Sequence, residues 1–394
     1  MKKLLFTALL SLIVIGVQAQ KKVLKSANKA LNKGTYAEAI DLATQASTNA
    51  ETQDNPDVYV ILGKSKLYQF KEDVTQFALA QESFDYFQTA IEKGGDKLKG
   101  KLMEEVFLNG DGDRLGGGEG LKWLQVMLTG QGNQFFDQAD YESSYNYYHL
   151  AGEIEPGVVI DFFTGYSAYQ SERDEEAIKY YERVLEADAK ASDEEKFENV
   201  NFVYNGLIDI YFNRVNDYDK ALHYVGIAKK LYPEEKSYKD YEIDILIRAD
   251  KMDEAISGLQ TVIDAGQATE ATYYTLAYLL WSNGDNERAL VNTEKALEIN
   301  PKYYDALYVA GSVHYNQAVE MLKEANNTDD NDEFARLRDE AIEKFKLCQP
   351  IFEECRNQKP EDLFILRPLS TIYDQLKMPE KRDEVLAKID EVEN

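Results

Sequence analysis

Apolar residues recur every three or four positions along most of this chain. One stretch reads Met252, Ala255, Leu259 and Val262, and another reads Leu366, Leu369 and Tyr373. That spacing lays an apolar stripe along one face of a helix with 3.6 residues per turn. No segment sustains the two-residue alternation of a half-buried strand, so the expected fold class is all-α. A longer period lies over the short one. Residues 270–303 place Tyr273, Leu276, Ala277, Leu280, Gly284, Ala289, Ala296, Leu297 and Pro301. Gly165, Ala177, Tyr181 and Val184 repeat the same internal spacing. So do Leu128, Gly132, Phe135, Tyr141, Ser144, Tyr148, Ala151 and Pro156. A fixed period of 34 residues marks stacked helix pairs, each burying its apolar face against its neighbours.

The period divides the chain into about nine units. The first two fill 20–95: Ala27, Ala30, Gly34, Tyr36, Ala39 and Ala46 mark one, and Leu62, Gly63, Ser83, Phe87 and Ala90 the other. Residues 96–124 lose the pattern at Asn109-Gly-Asp-Gly-Asp113 and Gly116-Gly117-Gly118, and are expected to be an irregular connection. The main array then runs over 125–394, with an acidic insert near 324–336 and a last unit whose polar end, Asp390–Asn394, caps the stack.

Charge narrows the partners. The formal net charge is −27, from 71 acidic and 44 basic residues. Taken over the whole chain, it repels nucleic acid and anionic lipid and favours a basic or neutral partner. Residues 1–19 have the layout of a secretory signal: Lys2 and Lys3, an apolar run over Leu4–Val17, and small residues at Val17 and Ala19. The run is shorter than the roughly 20 residues that span a bilayer. Cleavage is expected after Ala19, and the location periplasmic or secreted. No cysteine lies at the cleavage site to take a lipid anchor. Cys348 and Cys355 are seven residues apart on one expected helix, about 10 Å along it. That is too far for an unstrained disulfide, so both are expected to pack.

The units resemble tetratricopeptide repeats. The resemblance rests on Leu276-Ala277, Leu280, Ala289, Ala296 and Pro301 in one copy, and on Gly132, Tyr148, Ala151 and Pro156 in another. It covers nearly all of the chain after residue 19, apart from 96–124. It implies a right-handed α-solenoid of antiparallel helix pairs, non-catalytic, whose first helices line a concave groove that holds a protein or peptide segment. Carried onto this chain, the groove positions are Tyr274, Tyr278 and Trp281 in the seventh unit and Phe162, Tyr166 and Tyr169 in the fourth. In the eighth they are Tyr308, Tyr315 and Asn316; the sixth presents Asp240, Asp244 and Arg248. Such rings either grip a ligand or pack between helices, and both readings stand at this point. Some relatives clamp acidic tails with Lys, Arg and Asn. Here only Asn133 and Asn316 take such positions, without a matching Lys. The implied role is an adaptor of the bacterial cell envelope. The alternative is glycan binding on the same helical frame, with the aromatics stacking on sugars.

Little else carries chemistry. His149, His223 and His314 fall in three separate units, and no pair of them has the spacing of a zinc helix. Asn109–Asp113 begins like a calcium loop, but Arg114 stands where glycine is needed and Gly120 where a glutamate should be. Gly116-Gly117-Gly118 lacks the Gly-Lys-Ser/Thr of a phosphate loop. No enzyme class, cofactor or metal is expected.

Overall fold

The computed structural model describes residues 21–108 and 114–393. The expected signal segment and the Asn109–Asp113 turn lie outside the described residues. The chain divides into two compact bodies, one ending at Asn216 and one beginning at Asp217.

The N-terminal body opens with α1 (21–32), α2 (Tyr36–Ser47), α3 (Pro56–Glu72) and α4 (Phe77–Gly94). Their shared core is small-residue rich, with Ala27, Ala30, Ala39, Ala43 and Ala46 between Val58 and Leu62. After an insert come α6 (Leu121–Asp137), α7 (Tyr141–Ile154), α8 (Val158–Gln170) and α9 (Asp174–Lys190). The body closes with α10 (Val200–Asp209), which runs on as a π-helical turn over Ile210–Arg214.

The C-terminal body holds α11 (Tyr218–Leu231), α12 (Ser237–Arg248), α13 (Met252–Asp264), α14 (Glu270–Ser282) and α15 (Asn286–Ile299). It continues with α16 (Tyr304–Asn327), α17 (Asn331–Gln358), α18 (Leu363–Gln375) and α19 (Pro379–Glu393). The fold is all-α, a run of helix hairpins, with one small ribbon.

Two local devices recur. The first is a turn. At Gly34, Ala139, Glu172, Asp250, Gly284 and Lys377 the chain enters the left-handed region, with φ between 57° and 83°. The next N–H bonds to the carbonyl five residues back, as in Asp140 to Phe135 and Arg173 to Ala168, both at 2.9 Å. This ends the first helix and reverses the chain. At Asp140 and Asp285 the following aspartate caps the second helix, accepting from the N–H three residues on at 3.1 Å. The second device is a small residue facing a ring. A Cβ added to Gly63 would lie 2.8 Å from the Phe87 ring; at Gly132 it would lie 2.9 Å from Tyr148, and at Gly165 2.9 Å from Tyr181. The glycine lets the ring lie against the backbone of the partner helix. In the 270–303 copy the same two positions hold Ala277 and Thr293, both buried.

Two expectations change. Residues 96–124 are ordered where described: α5 (Asp96–Leu102) leads into an antiparallel ribbon of β1 (Val106–Leu108) and β2 (Arg114–Gly117). Strands of three and four residues are too short to show alternation. The glycine run serves close backbone approach. A Cβ at Gly117 would sit 2.1 Å from the Glu105 carbonyl oxygen, and one at Gly118 2.4 Å from that of Glu104. The acidic insert, in turn, mostly lengthens helices. α16 and α17 have 24 and 28 residues, and only 328–330 are non-helical between them. Asp330 caps α17, accepting from the N–H of Asp332 and of Glu333 at 2.9 and 3.1 Å. Both cysteines are buried and free, and burial pushes each thiol pKa up to about 12.

Candidate functional site

Residues four, eight and eleven positions after the start of a first helix share one face, since these steps follow the helical repeat. On α8 they are Phe162, Tyr166 and Tyr169; on α14 they are Tyr274, Tyr278 and Trp281. On α16 positions four and eleven hold Tyr308 and Tyr315, with Asn316 next. The structure treats these stripes differently.

The α8 stripe is covered by its own chain. Phe162 is buried, its ring 5.0 Å from Phe197 in the segment after α9 and 6.1 Å from Phe202 on α10. Tyr166 lies 5.1 Å from both Phe136 and Phe202. Tyr169 donates to Asp209 at 2.8 Å, under the Arg214 guanidinium at 4.2 Å. Burial and the Asp209 hydrogen bond push its phenol pKa up to about 12. The same face of α3 is covered too. Glu119, just past β2, takes an ion pair from Lys64 at 3.1 Å and another from Arg114. Burial opposes the Glu119 charge, but Lys64, Tyr68 and Arg114 outweigh it and hold its carboxyl below the usual range. Arg114 in turn lies over the Trp123 ring at 5.2 Å.

The α14–α16–α18 face is open. Tyr274, Tyr278, Trp281 and Tyr308 form a row of rings with successive centroids 6.2, 6.2 and 6.4 Å apart. Tyr278 is 44% exposed. The row runs into a pocket of about 350 Å³ lined by Trp281, Tyr308, Tyr315, Asn316, Phe364 and Arg367, with Phe352 and Pro368 behind. Phe364 stands 75% exposed at its edge. No carboxylate lines the pocket, and its one cation, Arg367, is paired with Glu393 at 2.6 Å. Pro368 lies inside α18 and has no N–H to give the carbonyl one turn back. At the other end of the row, burial and the nearby Asp305 and Tyr303 raise the Tyr274 phenol pKa.

Four of the nine expected groove residues thus meet in one pocket: Trp281, Tyr308, Tyr315 and Asn316. Tyr274 and Tyr278 extend it as a row, and Phe162, Tyr166 and Tyr169 lie in the other body. Sequence reasoning missed Phe364 and Arg367. Arg367 was findable, because it follows the start of α18 by four residues, as Tyr274 and Tyr308 follow theirs. Phe364 sits in a first turn and has no such signal. Among the described residues no group of three His, Cys, Asp or Glu side chains could hold a metal ion. No helix there is long and apolar enough to cross a membrane.

A family model described as Tetratricopeptide repeat matches residues 164–190 and 271–303, the pairs α8–α9 and α14–α15. The chain thus carries tetratricopeptide repeats over these residues. Among solved structures it is similar to YrrB, titled a TPR protein with an unusual peptide-binding site: 18% identity, 46% of this chain and 90% of that one, TM-score 0.36. It is similar to a TPR repeats protein from Bacteroides fragilis at 16% identity, over 67% of this chain and 99% of that one, TM-score 0.30. It is also similar to a chain of Naa15/Naa10 bound to HypK at 11% identity, over 94% and 64%, TM-score 0.41. No curated protein matches the sequence.

Proposed function

We infer that this protein is a non-catalytic adaptor that holds a peptide segment of another protein on the α14–α16–α18 face. Tetratricopeptide repeats serve protein interaction, and one observation carries the choice of face. Of the aromatic stripes in the same register, the α8 stripe is closed by Phe197 and Phe202, while the α14 stripe ends in an unfilled pocket. The ligand's anchor is a neutral apolar or aromatic side chain, because the lining is aromatic and holds no carboxylate. A lysine or arginine of the ligand fits the other end, where Asp305 stands exposed near Tyr274. The reading places the protein in the bacterial envelope, exported by residues 1–19. Amino-terminal sequencing of the protein from cells, expected to begin at Gln20, checks that part.

The binding test selects from a displayed random-peptide library on the full chain, then repeats on Trp281→Ala and Phe364→Ala. Peptides sharing an apolar anchor are expected, with a loss of tenfold or more in affinity in each variant. Melting temperatures should stay within a few degrees of the parent, since both rings are at least partly exposed. Binders indifferent to both substitutions would place the site elsewhere. A large fall in melting temperature for both would make the rings core.

A further inference from the structure

The negative charge of this chain is unevenly spread. None of its 71 acidic residues lies before Glu38, whereas Lys21, Lys22, Lys25, Lys29 and Lys33 follow one another along α1 and its end. At about 100° per residue, the four lysines within the helix fall in an arc of about 100°. Ala27, Ala30 and Leu31, which enter the core, lie on the opposite side. All five lysines are exposed, and among the described residues none has an ion-pair partner. Lys22, Lys25, Lys29 and Lys33 bound an open hollow of about 570 Å³ with no carboxylate, and Lys21 and Lys25 share a second hollow with Asp57. Like charges four apart on a helix are destabilising by a few tenths of a kcal/mol per pair. A chain of net charge −27 has no need of them for solubility. An outside anionic partner accounts for a cost that no ion pair among the described residues offsets.

We propose that the lysine face of α1 docks this protein on an anionic lipid surface. Three observations favour a bilayer over an acidic protein. The face is a straight row about 12 Å long from Lys21 to Lys29, and it suits a plane of headgroups. α1 packs through its other side on α2 and α3, and repulsion from carboxylates more than about 8 Å away is screened at physiological salt. The apolar run Leu4–Val17 ends just upstream, which delivers α1 to a membrane whether the run is later removed or kept. The apolar side of α1 is spent on the core, so the attachment is electrostatic and reversible.

The test is vesicle co-sedimentation of the protein as cells accumulate it, beside a Lys21, Lys22, Lys25, Lys29→Gln variant. Vesicles of phosphatidylcholine alone are compared with vesicles containing about a third phosphatidylglycerol. The parent is expected to partition onto the anionic vesicles at 50 mM salt and to leave them at 300 mM. The variant should bind them about a hundredfold more weakly, at up to 1 kcal/mol per lysine. Its circular dichroism should be unchanged and its melting temperature should stay within a few degrees of the parent's, because among the described residues these side chains make no ion pair. Equal partition of parent and variant overturns the proposal. So does binding to phosphatidylcholine alone, or pelleting of the parent without vesicles, which would make another copy of the chain the partner.

Discussion

Single residues set how closely the helices approach. Tyr181 has a glycine on each side: a Cβ at Gly165 would lie 2.9 Å from its ring, and one at Gly206 2.6 Å. Gly165→Ala should therefore cost about 1–3 kcal/mol by overpacking, read as a lower melting temperature. The Tyr181 hydroxyl is buried without a hydrogen-bond partner. Tyr181→Phe removes that unpaired group at no loss of packing, so it should leave stability unchanged or raise it. A fall of more than 1 kcal/mol for Tyr181→Phe would mean that the hydroxyl is satisfied in solution. His149 makes a different kind of prediction. Its ring stacks on Tyr145 with centroids 5.5 Å apart, and its Nδ1 lies 2.6 Å from the Tyr180 hydroxyl. Burial, with Lys179 and Arg183 nearby, holds its pKa below 6.5. The unfolded chain then binds a proton that the folded chain refuses. The stability this neutral histidine contributes is complete above pH 6.5 and falls as pH drops below it. Denaturant midpoints at pH 7.5 and 5.5 should differ less in His149→Gln than in the parent. Equal differences would show that His149 titrates normally.

At the scale of elements, the helix pairs were legible because their period is carried by buried small residues that tolerate few alternatives. Ala277, Ala289 and Ala296 are all fully buried, as their spacing implied. The turns were only half legible. Gly34 and Gly284 announce a left-handed residue, but Ala139, Glu172 and Lys377 adopt the same conformation with φ near 58° and look like ordinary helix residues in sequence. Each carries a cost that glycine would not, so Ala139→Gly should stabilise by about 0.5–1 kcal/mol. Chemical denaturation decides it, and a loss of stability would mean that the Ala139 methyl makes a contact worth more than the strain. The ribbon escaped notice because its strands are too short to alternate and Glu119 beside it pairs with Lys64, 55 residues away. The pocket was legible where helical register alone placed a residue, as for Trp281, Tyr308 and Tyr315. It was not legible for Phe364, whose place depends on the long α16–α17 hairpin before α18.

For the whole molecule the governing quantity is charge, and two effects of salt oppose each other. Contact ion pairs such as Lys251–Asp219 at 2.9 Å and Arg382–Asp374 at 2.8 Å lie in water and stabilise the fold only a little. The net charge of −27 leaves many carboxylates without a cation, and their mutual repulsion acts over long distances. Salt does not weaken the two equally. Between about 10 and 150 mM the screening length falls from about 30 to 8 Å, which removes repulsion across a body but scarcely touches a pair at 3 Å. Repulsion is therefore the effect that salt removes first, and the folded state, being the more compact, gains from it. The melting temperature should rise by a few degrees as sodium chloride goes from 10 to 150 mM at pH 7.5, then level off. A steady fall over that range would mean that the contact pairs outweigh the excess of carboxylates. The lysine-to-glutamine variant of α1 bears on the same balance: it makes the net charge more negative by four, so its rise with salt should be steeper than the parent's. A shallower rise in that variant would show that the lysines repel one another more than they attract the acidic body behind them.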